Sequence, residues 1–344
     1  MKDIKSLTFD ELKSEMELMG EKGFRAGQIY SWMHKKLAVS FEEMSDIPAS
    51  LRQKLEKDYS YTVLKAVRKQ VSKIDGTAKY LFELPDANRI ETVSMDYHHG
   101  HSVCISSQVG CRMGCAFCAS TLGGLVRNLS AAEMLEQIYS VTRDLNKRVD
   151  NIVVMGIGEP MDNYDNLIRF IRMINSDKGL NLSVRNITVS TCGIVPGIKR
   201  LADEGLGITL ALSLHAVNDE KRRKIMPVAK SFTIAELMEA VDESFEKTGR
   251  RVTFEYSLIA GVNDTDEDAK GLAALAGGTR NAHVNLIPVN PVTEAGLKEP
   301  DRAAVLRFQE RLSSMKVNAT IRRELGRDID GACGQLRRND NNIM

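Results

Sequence analysis

Residues 110–118 read Gly110-Cys111-Arg112-Met113-Gly114-Cys115-Ala116-Phe117-Cys118. Three thiols in a C-x3-C-x2-C spacing on one short loop can surround one soft metal centre, either iron–sulfur or zinc. A closed structural zinc site takes four ligands. No fourth Cys or His lies within the loop, and His99 and His101 stand ten or more residues upstream, across a predicted strand. Three ligands leave a position open for substrate or cofactor. With Cys104, Cys192 and Cys333 the chain has six cysteines in 344 residues, which in a long chain is not a disulfide framework.

Working outward from the loop, the apolar period identifies the fold class. Strands are predicted at 61–64, 78–84, 90–95 and 102–106, with turns at Asp75-Gly76, Pro85-Asp86-Ala87-Asn88 and His99-Gly100. Beyond the loop, strands at 152–155, 186–190, 208–214, 252–258, 284–288 and 318–321 alternate with helices at 130–147, 163–175, 233–247, 264–276 and 300–315. Ser130 with Glu133 and Thr233 with Glu236 form capping boxes. This alternation means an α/β fold with a parallel sheet, a partial barrel or a doubly wound sheet. Six or so units fall short of the eight of a full barrel. Residues 1–60 read as helices around the single Trp32.

Length divided by about 150 residues per domain gives roughly 2.3. The predicted division is an N-terminal helical accessory domain at 1–60, a β-rich connector at 61–100, the main α/β unit at 101–322 and a C-terminal extension at 323–344. The hydrophobic share of 43% and charged share of 27% exclude a disordered or fibrous chain. No apolar run approaches the ~20 residues that span a bilayer, and no signal-peptide stretch follows Met1; a cytoplasmic protein without a membrane partner is expected. Lys plus Arg (47) against Asp plus Glu (46) gives +1, which excludes an overall electrostatic case for nucleic-acid binding. The charge is uneven, however. Residues 298–338 hold ten Lys or Arg against six Asp or Glu, a net of +4. Lys65, Arg68, Lys69 and Lys73, and the run Lys221-Arg222-Arg223-Lys224, are further predicted phosphate contacts, and Lys22, Arg25, Lys35 and Lys36 scatter over the N-terminal helices.

The cysteine loop, with an aromatic before its last Cys, resembles the radical S-adenosylmethionine (SAM) enzymes. The resemblance narrows further on Cys104-Ile105-Ser106-Ser107-Gln108-Val109-Gly110-Cys111, Gly156-Ile157-Gly158-Glu159-Pro160, Ser213-Leu214-His215, Asn285-Leu286-Ile287-Pro288-Val289-Asn290-Pro291 and Asp330-Gly331-Ala332-Cys333-Gly334-Gln335-Leu336. Five motifs in this order are similar to the RlmN family, over nearly the whole chain. The resemblance implies a radical SAM partial (β/α)6 barrel. It implies an enzyme that methylates C2 of adenosine in 23S rRNA, at the peptidyl transferase centre, and in tRNA, at the adenosine 3′ of the anticodon.

What each residue does is implied by the same resemblance. Cys111, Cys115 and Cys118 would hold a [4Fe-4S] cluster. Gly158, Glu159, Ser190, Ser213, Leu214, His215 and Asn290 would contact SAM, at the carboxyl ends of strands where α/β folds place their sites. Two SAM serve each turnover: one methylates Cys333, a thiolate being a good nucleophile, and the second yields the radical that activates the methylated sulfur toward the base. Cys104 would resolve the covalent RNA–protein adduct through a transient disulfide with Cys333, and Glu91 would accept the proton. Cys192 matches no required role and reads as structural. A monomer served by an external one-electron reductant such as flavodoxin or ferredoxin is expected. Alternatives are the Cfr-type relative that methylates C8, an iron–sulfur electron carrier and a zinc-stabilised RNA-binding module. A carrier has no need of Cys104 and Cys333.

Overall fold

The computed structural model describes residues 1–279 and 281–337; Arg338 of the basic tail and the end of the 323–344 extension lie outside the described residues. In chain order the strands are β1 Lys2–Asp3, β2 Tyr59–Ser60, β3 Lys65–Val71, β4 Ala78–Glu83, β5 Arg89–Tyr97, β6 Gly100–Cys104, β7 Gln108–Gly110, β8 Leu125–Asn128, β9 Asn151–Val154, β10 Ile187–Thr191, β11 Thr209–Ser213, β12 Val252–Leu258, β13 His283–Pro288 and β14 Ala319–Ile321. The helices are α1 Phe9–Leu18, α2 Phe24–His34, α3 Ala49–Asp58, α4 Ala131–Leu145, α5 Tyr164–Asn175, α6 Val195–Asp203, α7 Asp219–Ile225, α8 Ile234–Thr248, α9 Asp266–Gly278 and α10 Arg302–Ser314.

Among the described residues ten strands form one sheet, in the order β14-β13-β12-β11-β10-β9-β6-β5-β4-β3. From β6 to β14 every neighbouring pair is parallel, and β5, β4 and β3 continue the sheet antiparallel. The outermost strands do not pair with each other, so the sheet is an open arc, as a partial barrel requires. The parallel strands are separated by helices whose apolar faces cover them. In α5, Leu167, Ile168, Phe170, Ile171 and Ile174 are buried, at the spacing that puts them on one side of a helix. In β12 the alternation divides two buried faces: Val252, Phe254, Tyr256 and Leu258 join the main core, while Glu255 and Ser257 line the lumen. Among the described residues four capping boxes are present, the two expected plus Thr8 with Glu11 and Thr265 with Asp268.

Several expectations need correction. Residues 61–64 form no strand; the strand is β3, whose Lys65-Ala66-Val67-Arg68-Lys69-Gln70-Val71 has no apolar face. Charges along an edge strand keep it from pairing with a second sheet, and Lys69 Nζ lies 2.5 Å from Asp144. The run 221–224 is not one solvated patch. Lys221 pairs with Asp268 at 2.7 Å, Lys224 with Glu220 at 2.9 Å, and Arg222 is 0% exposed. In the basic tail, Arg322 is half-buried and lies 3.7 Å from Glu255, while Arg327 and Arg337 pair with Glu299 and Glu294, each at 2.6 Å. Helices α6 and α7 and the β7–β8 hairpin were not expected.

Candidate active site

The cysteine loop is the tip of the β7–β8 hairpin. Gly110 lets it turn: its φ is +77°, and a Cβ there would stand 1.9 Å from the Gly124 carbonyl oxygen. Cys111 N–H donates to that same oxygen at 3.1 Å, and Ala116 N–H donates to the Ile225 carbonyl at 2.9 Å, so both halves of the loop are pinned. Behind the hairpin, buried Gln108 accepts from Glu159 N–H at 2.8 Å and donates to Asn128 and Asp162 at 2.8 and 3.0 Å. The Gly-Ile-Gly-Glu-Pro turn therefore sits against the hairpin. Gly158 has φ +109°, and any Cβ there would meet Gln108 at 2.6 Å.

All three loop cysteines line one cleft of about 910 Å³ at the carboxyl ends of the parallel strands. Gly158, Glu159, Ser190, Ser213, His215 and Asn290 line it with them, as do Cys192, Glu255 and Arg322. Three soft thiols together with a carboxylate and neutral hydroxyl, imidazole and amide groups fit an iron–sulfur centre beside a zwitterionic ligand. Among the described residues no three His, Cys, Asp or Glu side chains gather around a single point as one metal ion demands. Three separate irons of a cubane make no such demand.

Burial shapes the chemistry of the lining. It pushes the Cys111 thiol up to about 12 and raises Cys115 and Cys118 as well. Burial also raises the Glu159 carboxyl, against hydrogen bonds from Cys192 N–H at 2.7 Å and Met161 N–H at 3.1 Å. His215 is driven down to about 3 by burial, and then by Arg222. Its Nδ1 accepts from Ser257 N–H at 2.8 Å, which leaves the neutral ring's proton on Nε2. The ring meets Phe117 edge-on at 4.8 Å, joining the cluster loop to the end of β11.

A second cavity of about 540 Å³ adjoins the first, lined by Val93, Met95, Tyr97, Cys104 and Leu336 among others. Cys333, Asn290, Arg322, Met155 and Ile287 line both. Cys333 thus stands at the seam, in an irregular strap: Asn290 Nδ2 donates to its carbonyl at 3.0 Å and Ala119 N–H to the Gly334 carbonyl at 2.7 Å. Cys104 and Cys333 are both free thiols. Burial, and then the nearby Cys333, push Cys104 up to about 12.

Of the expected site residues, Glu91 and Leu214 line neither cavity. Leu214 is fully buried in the main core, and its carbonyl accepts from Arg222. Glu91 lies on β5, 3.0 Å from Lys79 Nζ, and accepts from Arg337 N–H at 2.6 Å. Three residues of the site escaped sequence reasoning. Cys192 is no bystander, since it lines the cleft and its N–H holds Glu159. Glu255 occupies a polar position in the alternation of β12, the signal that could have found it. Arg322 looked like tail charge.

Comparison with known proteins fits this geometry. Residues 105–273 match the Radical SAM superfamily, and residues 2–60 match the family described as "Ribosomal RNA large subunit methyltransferase N-terminal domain". The "Probable dual-specificity RNA methyltransferase RlmN" of Lachnospira eligens is 59% identical, over 98% of this chain and 96% of that protein. Its namesake from Geobacillus kaustophilus is 54% identical over 97% and 92%. A crystal structure of a radical SAM methyltransferase from Sphaerobacter thermophilus superposes with a TM-score of 0.94 at 42% identity, covering 98% of this chain and 100% of that one. The chain belongs to the RlmN family of radical SAM RNA methyltransferases, whose cofactors are a [4Fe-4S] cluster and SAM.

Proposed function

We propose that this enzyme methylates C2 of adenosine in 23S rRNA, at the peptidyl transferase centre, and in tRNA, at the adenosine 3′ of the anticodon. The observation that supports it is the position of Cys333 on the wall shared by two cavities, with the three loop cysteines in one and Cys104 in the other. In this reading Cys111, Cys115 and Cys118 hold the cluster, and Gly158, Glu159, Ser190, Ser213, His215 and Asn290 receive SAM. Bound there, the cofactors supply a methyl group and the radical that activates it.

The protein's own groups do the rest. Cys333, as thiolate, would attack the methyl carbon of SAM, forming an S–C bond as the sulfonium S–C bond breaks and S-adenosylhomocysteine leaves, and so become the methyl carrier. After its methyl carbon, as a radical, has bonded to C2 of the base, and the adduct has lost the C2 proton and one electron, which the oxidised cluster would accept, the Cys104 thiolate attacks the Cys333 sulfur. The S–C bond breaks with its electron pair on the carbon, which takes up a proton and leaves with the RNA as the methyl group, and a Cys104–Cys333 disulfide remains, to be reduced before the next cycle. Glu91 takes the C2 proton. Lys79 Nζ, which holds the Glu91 carboxylate, also donates to the Asp330 carbonyl at 3.2 Å. Glu91 is therefore engaged by the strap that carries Cys333, through Arg337 N–H, and also by Lys79 of β4. The reading also carries a cytoplasmic location and a flavodoxin- or ferredoxin-like electron donor; no described helix is long and apolar enough to cross a membrane.

Mass spectrometry of nucleosides from RNA treated with the reconstituted enzyme tests this. 2-Methyladenosine is expected; 8-methyladenosine would move the assignment to the Cfr-type reaction. Cys104→Ala should accumulate a covalent RNA–protein adduct and Cys333→Ala should form none. Equal adduct from both would overturn the two roles.

A further inference from the structure

Arg222 is the side chain whose environment least matches its charge. It is 0% exposed and enters no ion pair among the described residues. Its Nη2 donates to the carbonyls of Cys192 at 2.7 Å and Ser213 at 3.3 Å, and its Nε donates to that of Leu214 at 3.1 Å. Its Nη1 is buried with no partner. Room for the guanidinium depends on Gly193, where φ is +102° and a Cβ would lie 3.1 Å from Nη2. A buried cation without a counter-charge is costly. The groups that would stabilise the charged form are Cys192, Cys115 and Asp219. Asp219 is already engaged, its Oδ1 accepting from Ile234 N–H at 2.9 Å. Cys115 belongs to the cysteine loop, and Ala116 next to it is hydrogen-bonded to Ile225, three residues along from Arg222.

We propose that Arg222 is a positioning residue for the cluster site, a fixed buried cation that balances the anionic iron–thiolate group and clamps the ends of β10 and β11 beside it. This rests on the assignment of Cys111, Cys115 and Cys118 as cluster ligands. Reduction adds negative charge to a group that is already anionic. In a low-dielectric site a nearby fixed cation lowers the cost of that electron. The three carbonyl contacts hold Ser213 and Cys192, and through Cys192 N–H the Glu159 carboxylate, at set positions around the same cleft.

The test is redox titration of the anaerobically reconstituted full-length protein, followed by electron paramagnetic resonance, for wild type, Arg222→Gln and Arg222→Lys. Arg222→Gln keeps a donor and loses the charge. At a fixed applied potential its reduced-to-oxidised ratio should fall about tenfold, a shift of about 59 mV to more negative potential for a one-electron couple. Arg222→Lys keeps the charge and should stay near the wild-type potential. An unchanged Arg222→Gln potential, or an equal shift in Arg222→Lys, overturns the proposal. If Arg222→Gln takes up no iron, Arg222→Lys decides alone: a wild-type potential supports the charge role and a tenfold displacement refutes it. Wild-type protein that binds no iron would instead refute the ligand assignment beneath it.

Discussion

The cluster loop and the Cys333 strap face each other across one cleft and are built by opposite means. The loop is a hairpin tip fixed at both ends, through Cys111 N–H to Gly124 and Ala116 N–H to Ile225, with a glycine at its entry that admits no side chain. The strap follows the short turn at Arg327–Ile329 and has no regular structure. Its ties are scattered hydrogen bonds, Ser120 Oγ to the Leu336 carbonyl at 2.8 Å, Gln335 Nε2 to the Pro291 carbonyl at 3.2 Å and Arg337 N–H to Glu91, together with the two-bond pairing of the Arg337 guanidinium with Glu294. A site that must hold a large inorganic group needs pre-set ligands. A sulfur that meets first a methyl donor and then an RNA base needs a segment that opens at low cost.

The largest effect should come from breaking either side outright. Cys118→Ala is expected to lose cluster iron, SAM cleavage and RNA methylation together, down to background. Cys333→Ala should keep its iron and lose only product and adduct. Iron analysis beside nucleoside mass spectrometry separates them, and iron loss in Cys333→Ala would abolish the distinction. Next come the two glycines. Gly110→Ala must displace backbone and should cost about 3 kcal/mol of global stability in chemical denaturation. Gly334→Ala, at φ +82° with Phe117 O 3.1 Å from the added carbon, should cost about 1–2 kcal/mol and slow turnover.

A smaller effect follows from Cys104. Its folded value is raised from 9.0 to about 12, so the folded state keeps a proton that the unfolded state gives up. The stability this contributes is full below 9.0 and is lost as pH rises toward 12. Between pH 9 and 10 the wild type should lose about 1 kcal/mol more than Cys104→Ala, read from denaturation midpoints. The smallest effect is Ser120→Ala. Losing one hydrogen bond to the strap, about 1 kcal/mol, should speed amide exchange across 331–337 while the global midpoint moves by only a few tenths of a kcal/mol.

What could be read from the chain follows the same division between local and distant. The cysteine loop is a matter of spacing along nine residues, and β12 is a continuous apolar-rich run whose bounds, Val252–Leu258, coincide with expectation. Edge strand β3 was invisible because nothing covers it, so its sequence lacks the alternation that betrays a strand. Helix α7, Asp219-Glu220-Lys221-Arg222-Arg223-Lys224-Ile225, looks like a solvated charge run. Only tertiary packing reveals that one of its arginines turns inward. The same holds for Cys192 and Arg322, whose place beside the cleft depends on how distant strands converge. Leu214 shows the converse. It stands inside a recognisable motif, yet its side chain lies in the core while its neighbours Ser213 and His215 line the cleft; His215, just past the end of β11, does so from a left-handed backbone at φ +56°.

The placement of Cys333 on a shared wall has a consequence for chemical control of the enzyme. Its sulfur is the doorway between the two chambers, so a bulky alkyl group on that one atom would obstruct both. A reagent small enough to reach it would need no affinity for SAM or for RNA to stop the cycle, and either ligand, once seated, would shield the doorway from it.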